Sequence, residues 1–207
     1  MVEIAALVAD LKQRAAGRQR LMVGIAGAPG SGKSTLASNL ALALKARGET
    51  AVVVPMDGFH FDDSVLEARG HRNRKGAPWT FDVAGLEVLL KRIRAREPDI
   101  AIPVFDRHME LSRNAAAIVN ATDKFIIVEG NYLLLNEAPW DRLRMLFDVT
   151  AFLDEPASVI EQRLLSRISE HGHDAAYARN WIASNDLPNA RIVIEKSAKA
   201  DVVVTGG

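Results

Sequence analysis

The chain has 207 residues, equal numbers of basic and acidic side chains, and no cysteine. This length suits one sizeable domain, and the zero net charge gives no overall field that would attract nucleic acid or a membrane, so we expect neither partner. The lack of cysteine excludes disulfides, thiolate chemistry and zinc held by cysteine. No apolar run approaches the roughly 20 residues of a membrane span. The N-terminal segment carries acids and does not resemble a secretory signal, so a cytoplasmic location is expected.

Predicted helices and strands alternate along the chain. A helical stripe over residues 2–16 comes first, and a short apolar strand over 21–28 follows it. The later elements are, in order, helix 34–47, strand 51–57, helix 81–97, strand 99–105, a strand that starts at 124 and ends near 130, strand 149–155, a helix opened by Pro156, and strand 201–206. Most strands are unbroken apolar runs, which is typical of a parallel sheet covered by helices on both faces. We therefore predict an α/β fold.

Polar and aromatic side chains follow the ends of several predicted strands. The carboxyl ends of parallel strands lie along one edge of a sheet, and ligands bind at that edge in such folds. The side chains that we expect to face one crevice there are Asp57, Phe105, Asp106, Glu129 and Asp154. The sequence therefore predicts a ligand site at this edge.

The segment GAPGSGKST, residues 27–35, fits the pattern G-x-x-x-x-G-K-[ST]. Its glycines let backbone N–H groups converge on phosphate oxygens, and the following helix presents its positive end to the same anion. The predicted nucleotide-binding residues are Gly27, Ala28, Pro29, Gly30, Ser31, Gly32, Lys33, Ser34 and Thr35. Lys33 is placed to reach the β- and γ-phosphates, and Ser34 is placed to hold Mg²⁺. The alternative is a glycine-rich turn, which the strand before it and the helix after it disfavour.

Other motifs narrow the class of nucleotide-binding protein. The guanine motif N-K-x-D of GTPases is absent, and so is the L-S-G-G-Q-like signature of ABC-type ATPases. His60, His71 and His108 match no zinc spacing, so we expect no zinc site.

Charged residues outside the loop are candidates for chemistry on a bound phosphate. Asp57 is placed to accept a proton from an attacking hydroxyl or to hold a water on Mg²⁺, and an Asp-Gly turn is the alternative. Glu129 either contacts a Mg²⁺-bound water or pairs with an arginine. Arg163 and Arg167 lie four residues apart on a predicted helix. They form either a solvated surface or a lid that brings cations to the transferring phosphoryl group.

The loop over residues 67–82 is rich in cations and contains glycine. Its basic residues are Arg69, Arg72, Arg74 and Lys75. As a group they sit where an anionic or polyhydroxy substrate could be clamped. A solvated loop is the alternative for each residue taken alone.

Five segments in a fixed order carry a resemblance to one family. They are GAPGSGKST, MDGFH, RKGAPWTFD, PVFDR and VEGNYLL. This set resembles the P-loop kinases of the phosphoribulokinase, uridine kinase and bacterial pantothenate kinase superfamily, and most of all the branch described as fructose-transport-system kinases. The resemblance covers about residues 20–205. It implies one domain over 1–207 with a three-layer P-loop nucleoside triphosphate hydrolase fold, which has a doubly wound parallel sheet of about five strands and a small helical lid near 156–186.

The resemblance also implies roles for individual residues. Asp57 corresponds to the base for the acceptor hydroxyl, and Glu129 to an acid near Mg²⁺ and substrate. Lys33 would cradle the phosphates, while Arg163 and Arg167 belong to the lid. The residues that would bind the acceptor are Asp57, Phe59, His60, Arg72, Lys75, Arg107, Glu129 and Tyr132.

The function expected from these residues is that of an ATP- and Mg²⁺-dependent kinase. It would be a phosphotransferase acting on a hydroxyl of a small molecule such as a sugar, a nucleoside or a pantothenate-like alcohol. One alternative is a non-catalytic or regulatory nucleotide-binding protein associated with sugar transport. Another is a nucleoside triphosphatase that needs no acceptor. A homodimer is left open as the assembly.

Overall fold

The computed structural model describes residues 4–170 and 174–205. Their helices are α1 (Ile4–Arg14), α2 (Lys33–Lys45), α3 (Asp63–Ala68), α4 (Val83–Arg94), α5 (Ala157–Glu170), α6 (Ala175–Trp181) and α7 (Leu187–Lys196). Their strands are β1 (Leu21–Gly27), β2 (Ala51–Pro55), β3 (Ile100–Asp106), β4 (Leu111–Val119), β5 (Phe125–Glu129), β6 (Val149–Asp154) and β7 (Val202–Thr205). The start predicted for the first helix, residues 2 and 3, lies outside the described residues. Within the described ranges, no helix combines the length and the apolarity that crossing a membrane requires.

Within the described residues, five strands form one parallel sheet in the order β2-β5-β1-β6-β7. In the centre of the sheet, Leu21 lies opposite Phe125, and Val23 lies opposite Val149. Every residue of β1 and β5 is buried, because helices cover both faces. The structure confirms the parallel sheet with both faces covered that the unbroken apolar runs indicated, and the doubly wound sheet of about five strands that the resemblance implied.

Successive residues of each strand point to opposite faces, so β1 contributes to two separate cores. Met22 and Ala26 belong to the apolar cluster that includes the buried face of α4. Leu21, Val23 and Ile25 belong to the cluster formed with α1 and α2. The sheet is therefore held from both sides, and the carboxyl ends of its strands lie together at one edge.

The strand predicted over 99–105 exists, but it does not belong to the parallel sheet. It is β3, which pairs with β4 in a separate antiparallel hairpin. The sequence predicts no strand at β4, because LSRNAAAIV consists mostly of alanine and polar residues with low β-propensity. In the structure this strand is largely exposed. The hairpin packs against the 3₁₀ turn Met56–Phe59 that follows β2. At Gly58 a Cβ would collide with the carbonyl oxygen of Pro103, so this contact requires glycine.

Helices α5, α6 and α7 pack beside the phosphate loop. Ile160, Leu164 and Ile182 form an apolar cluster with Ala28 of the loop. A Cβ added to Gly30 would lie 3.0 Å from Leu164 Cγ, so α5 rests closely on the loop. A π-helical turn over Ile182–Asp186 continues α6 into α7. The described parts of the predicted lid segment, 156–170 and 174–186, are therefore largely helical and contact the phosphate loop, while 171–173 lie outside the described residues.

Candidate active site

The phosphate loop connects β1 to α2 at the carboxyl edge of the sheet. Gly30 and Gly32 have φ values of +78° and +96°, a conformation that glycine adopts without strain, and α2 begins directly after Gly32. Lys33 is only 7% exposed, and its Nζ donates to the carbonyl oxygen of Ala28 at 2.9 Å. Burial lowers the pKa of Lys33 to about 8. The loop thus combines a helix N-terminus with a buried cation, as a phosphate site requires.

Ser34 and Glu129 meet beside this loop. Ser34 lies in the first turn of α2 and Glu129 ends β5, and the Ser34 Oγ donates to Glu129 Oε1 at 3.0 Å. Burial and the nearby charge of Asp57 raise the pKa of Glu129, although the charge of Lys33 opposes the rise. Hydroxyl and carboxylate oxygens are ligands that Mg²⁺ prefers, and this ion usually takes one or two of them together with waters and substrate phosphates. The donor set therefore fits Mg²⁺ bound beside a phosphate.

Asp57 lies in the 3₁₀ turn just beyond β2 rather than within the strand, which ends at Pro55. Its Oδ2 accepts from Arg107 Nη2 at 2.8 Å, and this ion pair joins the turn to the hairpin. Burial would raise the pKa of Asp57, but the charges of His60, Arg107 and Lys33 outweigh it, and the pKa lies below its usual value. Asp57 is therefore an ionised carboxylate that faces the phosphate loop.

The three aromatic side chains predicted to contact the acceptor have different positions. His60 lines the cavity, and its ring lies 4.0 Å from that of Phe81 and 4.9 Å from that of Phe105, measured between centroids. Phe59 packs against the apolar core and does not line the cavity. Tyr132 is fully buried, and its hydroxyl donates to the carbonyl oxygen of Gly76 at 2.7 Å. The assignment of Phe59 and Tyr132 to the acceptor site is therefore corrected, because the partly buried Phe59 ring and the fully buried Tyr132 ring both pack against the core and not on the cavity.

The basic loop divides into residues that line the cavity and residues that do not. Lys75 and Arg72 line it, and both pair with Asp63, at 2.6 and 2.7 Å. Arg74 turns away toward α7, and the Arg69 guanidinium stacks on a phenylalanine ring outside the cavity. Two of the four basic residues of this loop are therefore placed to contact a ligand in the cavity, and the other two are not.

Arg163 and Arg167, which were predicted to belong to a lid, both line the cavity. Arg163 Nη1 donates to the carbonyl oxygen of Ser31 at 2.8 Å and to Glu155 Oε1 at 3.0 Å, which ties α5 to the phosphate loop. Arg167 Nη2 lies 3.8 Å from Asp186 Oδ1. Burial lowers the pKa of Arg167, and the neighbouring charge of Arg107 lowers it further. Both cations are therefore close to the position predicted for the nucleotide phosphates.

One cavity of about 690 Å³ brings most of the predicted residues together. Several other residues line the cavity without a site role predicted from the sequence, namely Gly76, His108, Glu110, Asn131, Ile168, Tyr177, Trp181, Asn185 and Asp186. Two residues expected at the crevice do not line it. Asp106 accepts hydrogen bonds from the backbone of the hairpin turn, and Asp154 is exposed beyond the cavity.

Comparison with known proteins relates this geometry to kinases. The chain is similar to the crystal structure of a "putative fructose transport system kinase" from Silicibacter sp. TM1040, with 41% identity and a TM-score of 0.92 over 97% of this chain and 98% of that one. It is 35% identical to the "Putative uridine kinase C227.14" of Schizosaccharomyces pombe, over 90% of this chain and 83% of the relative. It is also 35% identical to the "Uncharacterized protein YggC" of Escherichia coli, over 90% of this chain and 78% of the relative.

A family described as "Methylmalonyl Co-A mutase-associated GTPase MeaB" matches residues 2–60. This segment includes the phosphate loop but covers less than a third of the chain, whereas the two relatives and the crystal structure extend over nearly all of it. The chain belongs to the P-loop kinases of the phosphoribulokinase, uridine kinase and bacterial pantothenate kinase superfamily.

Proposed function

We propose that this protein uses ATP and Mg²⁺ to phosphorylate a hydroxyl group of a small molecule. The observation that supports this most directly is that Asp57 and the phosphate-loop residues Lys33 and Ser34 line the same cavity. A carboxylate that faces a phosphate site across a cavity suits transfer of a phosphoryl group to an acceptor held between them.

On the donor side, the loop and two cations would bind the nucleotide phosphates. The N-terminus of α2 and the amine of Lys33 attract the β- and γ-phosphates. Arg163, fixed by the carbonyl of Ser31 and the carboxylate of Glu155, would hold the lid against the loop and keep its guanidinium near the phosphates. These charges would stabilise the negative charge that develops on the transferring phosphoryl group.

Ser34 and Glu129 would hold Mg²⁺ between the loop and the end of β5. Mg²⁺ held there would supply positive charge that offsets the negative charge of the nucleotide phosphates. Glu129 is only 6% exposed, and a carboxylate this buried is stable when it meets a cation.

On the acceptor side, Asp57 would orient the hydroxyl and take its proton. The hydroxyl oxygen forms a bond to the γ-phosphorus, the bond from this phosphorus to the β–γ bridging oxygen breaks, and the proton passes to the Asp57 carboxylate. Arg107 holds one oxygen of that carboxylate and keeps it ionised. His60, Arg72 and Lys75 would form the wall against which the acceptor lies.

A panel of sugars, sugar alcohols, nucleosides and pantothenate-like alcohols, each scored for ADP release, tests this proposal. Release of ADP that depends on one acceptor, together with a phosphorylated product, supports the kinase. ADP release at the same rate without any acceptor indicates a nucleoside triphosphatase. Nucleotide binding without turnover across the panel indicates a regulatory protein.

A further inference from the structure

A buried carboxylate on the wall of the cavity has no part in the reaction proposed above. Asp186 ends the π-helical turn between α6 and α7, is 7% exposed and lines the cavity. Its Oδ2 is buried and accepts no hydrogen bond from the part of the chain that the structure describes. Arg167 lies 3.8 Å from the other oxygen, which is beyond hydrogen-bond distance. Burying a carboxylate oxygen without a donor costs free energy, so this position favours a ligand that supplies one.

The wall that carries Asp186 is attached to the acceptor side of the cavity. Asn185 donates to the carbonyl oxygen of Lys75 at 2.8 Å and accepts from Arg74 Nε at 3.1 Å. Asn189 accepts from the same guanidinium at 3.1 Å. These bonds fix the π-helical turn to the basic loop, and such turns often occur at functional sites. Asp186 is therefore held in place on the wall of the cavity, with one carboxylate oxygen that no group of the described chain satisfies.

The charges around the acceptor side favour a neutral ligand. Arg72 and Lys75 both pair with Asp63, and Arg107 pairs with Asp57. Lys75 also lies 3.9 Å from Glu110 Oε2, so each of the three cations has a carboxylate of the chain beside it, whereas Oδ2 of Asp186 requires a hydrogen-bond donor. A neutral molecule with several hydroxyl groups meets that requirement, and an anionic group placed against Asp186 would be repelled.

We propose that Asp186 accepts a hydrogen bond from a second hydroxyl group of the acceptor, which is therefore a neutral polyol of the sugar or sugar-alcohol class. This inference rests on the proposed kinase function and adds to it a residue that determines specificity. Asp57 orients the hydroxyl that is phosphorylated, and Asp186 recognises another hydroxyl of the same molecule.

The test compares wild type with Asp186→Asn and with Asp154→Asn, a matched change at an exposed carboxylate outside the cavity. Each neutral polyol of the panel is assayed beside analogues that lack one hydroxyl, and kcat/KM for the acceptor and KM for ATP are measured. In wild type, the analogue that lacks the bonded hydroxyl should lose about tenfold to hundredfold in kcat/KM, as for other hydrogen bonds to charged groups. Asp186→Asn should lose a similar factor on the intact polyol and no longer distinguish it from that analogue. Asp154→Asn should behave as wild type.

Thermal unfolding adds a readout that separates recognition from a structural role. Asp186→Asn keeps the shape of the side chain and loses only a 3.8 Å contact with the partly exposed Arg167 guanidinium, so its Tm should stay close to that of wild type. A clear fall in Tm would show that the carboxylate stabilises the fold, and would overturn the proposal. A rise in KM for ATP with unchanged acceptor discrimination would also overturn it, because Asp186 would then only position Arg167.

A binding experiment distinguishes failure of the proposed kinase function from failure of the role proposed for Asp186. If no acceptor releases ADP with wild type, binding of the same polyol pairs is measured by calorimetry with nucleotide present. Polyol binding that is lost in Asp186→Asn supports the role of Asp186 without turnover. No polyol binding to wild type, or equal binding to both proteins, contradicts it.

Discussion

The two halves of the cavity are built from different parts of the chain. The phosphate half is built around one continuous segment, residues 27–35, to which Glu129 and Arg163 add a carboxylate and a cation. The acceptor half is assembled from side chains of separate segments, residues 57–60, 72–76, 105–110 and 185–189. Its geometry depends on links between these segments, such as the ion pair from Asp57 to Arg107 and the bond from Lys75 to the carbonyl of Glu110.

This difference has a consequence for function. A backbone site recognises phosphate in any nucleotide, because N–H groups are the same whatever side chains surround them. A site made of side chains changes its specificity with each substitution, because every group fixes one contact with the ligand. Substitutions in the acceptor half should therefore change which acceptor reacts, and substitutions in the phosphate half should affect all acceptors alike.

The largest effect is expected from Asp57→Asn in the acceptor half. The amide cannot accept the proton of the hydroxyl, so kcat should fall by about two to four orders of magnitude while ATP binding stays near that of wild type. Turnover kinetics and nucleotide binding by calorimetry measure the two quantities separately. Nearly intact turnover would mean that Asp57 is not the base.

Lys33→Ala is the corresponding change in the phosphate half. Loss of a buried cation beside the phosphates should lower kcat/KM by about two to three orders of magnitude, and by the same factor for every acceptor. The measurement is kcat/KM for ATP with two different acceptors. An effect that differed between acceptors would show that the two halves are not independent.

The continuous half of the site is also the part that the sequence predicts best. The residues around Lys33 and Ser34 follow a fixed local pattern whose geometry is set by neighbouring glycines. Asp57 could be predicted because it follows a clearly apolar strand that delivers it to the sheet edge. Both arguments use only local sequence and one general rule of parallel sheets.

The dispersed half was harder to predict, for physical reasons. Tyr132 follows Glu129 closely in the motif VEGNYLL. Its ring nevertheless packs in the core, and its hydroxyl donates a hydrogen bond to the carbonyl oxygen of Gly76. The segment SNDLPN has the composition of a turn. The chain instead continues as a π-helical turn into α7, where Pro188 lies in the first turn and needs no N–H donor. Asn185 and Asp186 reach the cavity only through this tertiary arrangement, for which the local sequence has no signal.

A smaller effect is expected from Gly58→Ala, which tests how the hairpin supports the acceptor half. The new Cβ would collide with the backbone of Pro103, so the hairpin must shift and stability should fall by about 1–3 kcal/mol. The shift moves Arg107, so KM for the acceptor should rise while KM for ATP changes little. Gly24→Ala is the matched control. Gly24 lies in β1, away from the hairpin, and the new Cβ would lie 2.9 Å from the Phe147 ring. It should lower stability and leave acceptor KM unchanged, and equal kinetic effects from both variants would contradict the link.

The smallest effect is expected from Asp201→Asn, at a site that belongs to neither half. Asp201 Oδ2 accepts from the backbone N–H and the hydroxyl of Thr150, and Arg144 lies 3.2 Å away. Burial would raise the pKa of Asp201, but the two hydrogen bonds from Thr150 and the charge of Arg144 hold it below its usual value. A carboxylate with a depressed pKa contributes stability above its unfolded pKa of about 4, and this contribution disappears as pH falls through the folded pKa.

Asp201→Asn should therefore lower the free energy of unfolding by about 1 kcal/mol at pH 7. Because the wild-type carboxylate becomes protonated in acid, the difference between the two proteins should shrink below about pH 4. Urea unfolding at pH 7 and at pH 3 measures it, and an equal difference at both values would contradict the role of the ionised group. Since β6 and β7 carry neither the loop nor the acceptor wall, kcat and both KM values should stay at wild-type levels. If only one of the two KM values changed, the contact between Asp201 and Thr150 would be shown to help position the corresponding half of the cavity.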